Sequence, residues 1–235
     1  MAGVARVPTA DRLKALAEAA TSVFGRLGYR GTRMAAVASA AGMSSGSVFT
    51  YVESKEALFH LVFAQAFGSF DREPPNLPLP TPMPGETAAL VEANLRSIPN
   101  PNLKAALAAE RPTDVDVELR GIVEERYAIQ ERLWPILAVI EKCAVELPEL
   151  EDFYYRRTRV GYFGRLSSYL EKRAGSGFLR PMPDYAVAAR LVSETISWFA
   201  WHRREGRDAL LYDDDAARAT VVQFICSALL PESRS

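Results

Sequence analysis

The sequence predicts an all-α protein, a small N-terminal headpiece with a helix-turn-helix followed by a larger helical bundle. Three observations predict it. Apolar residues recur at helical spacing from Leu13 to Leu229, and no stretch alternates as a half-buried strand does. Proline and glycine punctuate these runs at Pro112, Pro148, Gly175 to Pro183 and Gly206, as expected between the helices of a bundle. Third, Met34 to Tyr51, MAAVASAAGMSSGSVFTY, reads as two short helices hinged at Gly42, the spacing that lets a small protein put a helix into DNA.

In chain order, the first helix carries the stripe Leu13, Leu16, Ala17, Ala20, Phe24 and Leu27. Gly28 reads as its C′ residue, with Tyr29 as the apolar partner of a Schellman-type cap. Thr32 reads as the cap of a second helix beginning near Arg33, whose inner face is Met34, Val37, Ala38 and Ala41. Ala38 is small enough for a close crossing, Gly42 can take a positive φ, and Met43 plugs the angle between the helices. Ser44 is a good N-cap for the third helix, where Val48 and Tyr51 face inward and the first N–H groups are satisfied or free to meet a phosphate. Ser54, followed by Lys55 and Glu56, caps a fourth helix with the inner face Leu58, Phe59, Val62, Phe63, Ala66 and Phe67.

The string from Arg12 to about Leu58 resembles the TetR family of transcriptional regulators. VFGRLGYRGT followed by MAAVASAAGMSSGSVFTYVESKEAL matches a family order of Gly-Tyr, Thr, Ile-Ala, Ala-Gly-Val-Ser, Gly, Leu-Tyr-Tyr-His-Phe and Ser-Lys-Glu-x-Leu. Departures are mild: Val37 for Ile, Met43 for Val, Val48 and Phe49 for Leu-Tyr, Thr50 and Tyr51 for Tyr-His, Val52 for Phe. The resemblance covers about a quarter of the chain. It implies a double-stranded DNA operator as partner, with Thr32, Tyr51 and Lys55 as phosphate contacts and Arg33 clamping or reading. Ser44, Ser45, Gly46, Ser47, Phe49 and Thr50 complete the DNA-binding set, Gly46 allowing close approach to the groove. No Arg, Lys, Asn or Gln lies between Ser44 and Val52, so the bidentate pairings that discriminate bases best are missing from this helix. Arg33 or an arm residue such as Arg6, together with DNA shape, is expected to supply specificity.

Charge supports this through its distribution. The chain has 28 Lys plus Arg against 29 Asp plus Glu, a net charge of -1, which announces no polyanionic partner. Residues 1–72 nevertheless hold eight basic and five acidic side chains. No Asp or Glu occurs between Glu18 and Glu53, whereas Arg26, Arg30 and Arg33 do, so nothing there repels a phosphate backbone.

Asp71 to Gly85 contains six prolines, Pro74, Pro75, Pro78, Pro80, Pro82 and Pro84, which cannot continue the fourth helix. The stretch reads as a surface loop in preference to a domain boundary, and irregular proline spacing argues against a partner-binding motif. The expected organisation is therefore a DNA-binding domain at 1–70, a Pro-rich loop at 71–85, and a helical domain at 86–235. Helices are expected at about Thr87 to Leu95, Asn102 to Ala109, Val115 to Leu147, Pro148 to Arg173, Asp184 to Arg204 and Asp213 to Leu230. No spanning or secretory segment is evident, and Cys143 and Cys226 are too few and too far apart for a disulfide framework or metal site. A cytoplasmic protein with no cofactor and no metal is expected.

For the C-terminal part the resemblance implies a ligand pocket and a homodimer interface. Pocket candidates are Trp134, Phe153, Tyr154, Tyr162, Phe163 and Trp198, suiting an apolar or aromatic small-molecule effector, although such aromatics equally fill a core. Pro135 should kink its helix and open space. Arg156, Arg157 and Arg159 either pair an anionic headgroup or form a solvated face. Interface candidates are Tyr185, Ala189, Val192, Ile196 and Phe199 with Val221, Phe224, Ile225 and Ala228, forming a symmetric four-helix contact or else a wide monomer core. The implied function is a ligand-responsive dimeric regulator, a repressor released from a palindromic operator when effector binding moves the fourth helix. The alternative is a helical protein-interaction adaptor whose headpiece no longer binds DNA. An enzyme is not expected, because two histidines, His60 and His202, and no phosphate loop assemble no catalytic set.

Overall fold

A computed structural model describes residues 10–71, 75–206 and 211–232; Arg6, a candidate for specificity, lies outside them. The described chain is all-α, with eleven α-helices among the described residues and a single isolated parallel bridge between Val52 and Leu79. It divides into two compact units, Met1–Ile98 with Pro135–Tyr154, and Pro99–Trp134 with Tyr155–Ser235. The three segments expected from sequence divide the chain by role, and this division is by compactness.

In the first unit, α1 (Ala10–Gly31) packs on α2 (Met34–Ala40) and α4 (Lys55–Ala66), while α3 (Ser45–Val48) packs on α2. Leu13, Leu16, Ala17, Ala20 and Phe24 are buried as expected, but Leu27 is exposed and Val23 is buried in addition. The reason lies at Gly28. Its φ of 74° and ψ of 178° break the helix by turning the chain sharply, and Tyr29 takes the inner place. The Tyr29 ring lies 6.0 Å from that of Phe24 and 5.1 Å from that of Phe59. The apolar contact of the expected Schellman cap is present, while the backbone at Gly28 is not left-handed helical. That motif instead closes α2, where Met43 N–H donates to the Ala38 carbonyl at 2.8 Å and Gly42 N–H to that of Ser39 at 3.2 Å.

Helix α4 is buried more widely than one stripe, with Leu61 and Ala64 joining Leu58, Phe59, Val62 and Phe63, while Ala66 at its end is exposed. After the Pro-rich stretch, α5 (Glu86–Ser97) packs on α4. The last part of α7 (Val115–Ala144) also belongs here: Gly25 faces Ala138 and Val139, and the Cys143 thiol, fully buried, donates to the Phe24 carbonyl. Helix α7 continues through Pro135, where the division between units falls. Helix α8 (Pro148–Glu151) follows, and then Asp152–Arg159 is π-helical, a local widening for which the residues carry no periodic signal.

The second unit holds α6 (Pro101–Ala108), the first part of α7, α9 (Val160–Gly175), α10 (Tyr185–Ala200), a 3-10 turn (His202–Glu205) and α11 (Asp214–Leu229). Its core includes Leu119, Tyr127, Tyr169, Ile196, Val221 and the buried thiol of Cys226. Arg173 is fully buried in it, bonded to Glu118 at 2.7 and 2.9 Å and to the carbonyls of Ala106, Ala109 and Glu110. Every arm of that guanidinium has a partner, the condition under which a buried charge is tolerated. Among the described residues no helix is long and apolar enough to cross a membrane, and no three His, Cys, Asp or Glu side chains converge as metal ligands.

Candidate nucleic-acid interface

The headpiece presents one surface built by α2, the Gly42 turn and α3. Val37, Ala38 and Val48 are buried, which sets the crossing, and Gly42 has φ 63° with nothing within 4 Å of where a Cβ would sit. The backbone angle alone therefore demands glycine there. Ser44 caps α3, its Oγ accepting from Ser47 N–H at 3.2 Å and lying 2.7 Å from Ser47 Oγ. Helix α3 is one turn long, extended by tighter bonds from Thr50 N–H to the Ser47 carbonyl and from Tyr51 N–H to the Val48 carbonyl. Ser54 caps α4 as expected, accepting from Ala57 N–H at 3.0 Å.

Of the expected DNA-binding residues, Arg33, Ser44, Ser45, Gly46, Phe49 and Thr50 are exposed and Ser47 is partly so. Phe49 leaves 49 % of its surface to solvent, although an aromatic would ordinarily be buried. Thr50 Oγ1 donates to the Ser47 carbonyl at 2.7 Å. Arg26 and Arg30 are exposed on the same headpiece. Thr32 and Tyr51 are placed differently. Thr32 is 1 % exposed and donates from Oγ1 to the Gly28 carbonyl at 2.7 Å, and the N-cap position of α2 belongs to Arg33, with no side-chain capping bond. Thr32 therefore closes the end of α1 and does not cap α2. Tyr51 is 2 % exposed, with its hydroxyl buried and unbonded, because the chain beyond α3 turns its ring into the core. Lys55 is half-buried, its Nζ 4.6 Å over the Tyr29 ring, which orients it by cation–π attraction. Tyr29 in turn donates to Glu56 at 2.9 Å, and burial raises its phenol pKa.

The other candidate residues fall in both compact units. Phe153 and Tyr154 are buried in the first unit, whereas Trp134, Tyr162, Phe163 and Trp198 belong to the second. There the Arg126 guanidinium lies 4.1 Å over the Tyr162 ring, Arg190 lies 4.9 Å over Phe163, and Arg159 pairs with Glu194 at 2.6 Å. Trp198 is exposed, its ring 4.7 Å from that of Phe199. Ala189, Val192, Ile196, Val221 and Ile225 are spent on the core of their own unit, because the inner faces of α10 and α11 already need them. Tyr185 and Phe199 are half-buried, and only Phe224 and Ala228 of the expected interface set are exposed. The large apolar residues exposed on these two helices are Val187, Leu191 and Trp198 on α10 and Phe224 on α11. Reading α10 at 187, 191 and 198 as a second stripe would have found the first three.

Residues 16–62 match the family model described as bacterial regulatory proteins, tetR family. The chain is 42% identical over 53 residues to an uncharacterized HTH-type transcriptional regulator, YhgD, of Bacillus subtilis (strain 168), a match covering 23% of this chain. It spans 28% of the length of that relative. In structure the chain is similar to the ketosteroid transcriptional regulator KstR2 of Mycobacterium tuberculosis, with 15% identity, TM-score 0.58, and 97% and 99% of the two chains covered. It is also similar to AibR, solved in complex with isovaleryl coenzyme A and operator DNA, with 19% identity, TM-score 0.50, and 91% and 97% covered.

Proposed function

We propose that the chain, whose residues 16–62 match the model of the tetR family of bacterial regulatory proteins, is a dimeric DNA-binding transcriptional regulator responsive to a small molecule. The observation that carries this is the α2–Gly42–α3 surface. Ser45, Gly46, Phe49 and Thr50 are exposed on it, Arg26, Arg30 and Arg33 are exposed on the same headpiece, and no acidic residue interrupts the sequence between Glu18 and Glu53. A surface of this composition neutralises phosphates and reads bases weakly, through hydroxyls and an aromatic edge against a thymine methyl. Lys55 and Arg33 supply phosphate contacts. The hydroxyls of Thr32 and Tyr51 do so only if the headpiece rearranges, and otherwise these residues fix its shape.

A second copy docks through the exposed apolar residues of α10 and α11, with Leu191 and Phe224 at 64% and 63% exposure as the anchors. Two headpieces then read a near-palindromic operator with recognition elements about one DNA turn apart. The effector is apolar or aromatic and the regulation is repression, relieved when effector binding displaces α4. AibR, which binds both isovaleryl coenzyme A and operator DNA, supports a single chain of this fold carrying both activities. The protein acts in the cytoplasm as a non-enzymatic regulator.

The test is selection of bound fragments from the source genome by the purified protein, then titration of a selected duplex at several salt concentrations. Binding that weakens linearly in log affinity against log salt, with preference for an inverted repeat, is the expected result. A protein indifferent to all duplexes at low salt overturns the reading.

A further inference from the structure

From Pro78 to Pro84 the chain alternates, Pro-Leu-Pro-Thr-Pro-Met-Pro, and in an extended chain this puts Leu79, Thr81 and Met83 at equivalent positions. Proline has no N–H, so these three supply every backbone donor of the stretch, and each is used. Leu79 N–H donates to the Tyr51 carbonyl at 2.8 Å, Thr81 N–H to Glu53 Oε2 at 3.0 Å, and Met83 N–H to Glu86 Oε2 at 2.8 Å. In return Glu53 N–H donates to the Leu79 carbonyl at 3.0 Å, and Thr81 Oγ1 donates to the Ser54 Oγ that caps α4. The Leu79 side chain is 8 % exposed. This segment lies along Tyr51–Ser54, the residues that leave α3, and α3 is a single turn too short to hold its own geometry.

We propose that residues 78–84 are a strap that positions the DNA-reading turn, with Leu79 and Thr81 as positioning residues that need not touch DNA. The inference rests on the proposed DNA-binding function. The alternating prolines hold the strap extended before it docks, so its backbone bonds form with little further loss of freedom. Operator affinity then depends on a segment outside the helix-turn-helix.

The test uses the full chain carrying Pro80→Gly, Pro82→Gly and Pro84→Gly together, which keeps the backbone donors of Leu79, Thr81 and Met83 and frees the chain between them. Three measurements are compared with the unaltered protein: amide hydrogen exchange across residues 51–54 without DNA, affinity for a duplex selected by the unaltered protein, and the melting temperature. The expected result is faster exchange at 51–54, roughly tenfold weaker binding at an unchanged salt slope, and a lower melting temperature, because glycine leaves the unfolded chain freer than proline does. Unchanged exchange, or faster exchange with unchanged affinity, overturns the strap. Should the triple variant fail to fold, Thr81→Val is expected to weaken binding in the same direction and Thr81→Ser to restore it; a Thr81→Val protein of unaltered affinity and unaltered exchange overturns it equally. Failure of the unaltered protein to bind any duplex counts against the DNA-binding reading, and the exchange measurement still decides whether the strap holds Tyr51–Ser54.

Discussion

Arg33 is the one long cation at the start of α2 on the exposed face, and α3 has no residue that can make a bidentate base contact. Replacing it with alanine is expected to weaken operator binding by about 1–3 kcal/mol if it reads a base, and to relax preference at one position. If it meets a phosphate, binding weakens evenly and the salt slope falls by about one. A gel-shift series over variant duplexes at two salt concentrations separates the two, and unchanged affinity and preference would remove Arg33 from the interface. His60 carries a second prediction at this scale. Its Nδ1 lies 3.0 Å from Thr87 Oγ1, and burial lowers its pKa below the ordinary value of about 6.5. Below that pH the unfolded chain takes up the proton before the folded chain does, so stability is lost as pH falls towards the folded-state pKa. His202 is shifted the same way, again chiefly by burial. The melting temperature is therefore expected to drop between pH 7.5 and 5.5, and to drop less in His60→Gln.

At the scale of elements, glycine does different work on the two sides of α2. Gly28→Ala meets both a φ of 74° and Glu146 Oε1 at 3.1 Å from the new Cβ, whereas Gly42→Ala meets only a φ of 63° in open space. The first is expected to cost about 1–3 kcal/mol and the second nearer 1, measured by urea unfolding. Equal costs would show that side-chain crowding at Gly28 is absorbed. The extents of the helices were readable because their stops are local: Asp184 and Asp213 cap α10 and α11 with side-chain bonds to the first-turn amides, and Pro101 and Pro148 open α6 and α8. Which face of a helix meets which partner is not local. Helical spacing at Ile196 and Val221 identifies an apolar face without saying whether the same chain or another copy covers it. Tyr51 reads as inward from its spacing with Val48 and as a phosphate contact from its motif, and its burial agrees with the spacing. The stretch from Pro74 to Pro84 reads only as a Pro-rich loop, because the residues it bonds, Tyr51–Ser54, lie about 25 positions away and no local rule joins them.

For the whole molecule, the exposed apolar residues of α10 and α11 make assembly testable without DNA. Leu191→Asp with Phe224→Asp puts two charges where a symmetric contact would bury them twice each, and sedimentation is expected to show monomers that melt near the parent temperature. A dimer that survives both changes would locate the contact elsewhere. Those monomers are also expected to lose most operator affinity, since each half-site is then held alone. The two cysteines add a different handle. Cys143 lies in one compact unit and Cys226 in the other, both enclosed, and burial pushes the Cys143 thiol up to about 12 and raises that of Cys226. Neither sulfur is ready for alkylation until its surroundings open. Labelling rates of the two, separated by peptide mass after a pulse of iodoacetamide, would thus time the loosening of each half of the polypeptide independently, with reporters the chain already carries.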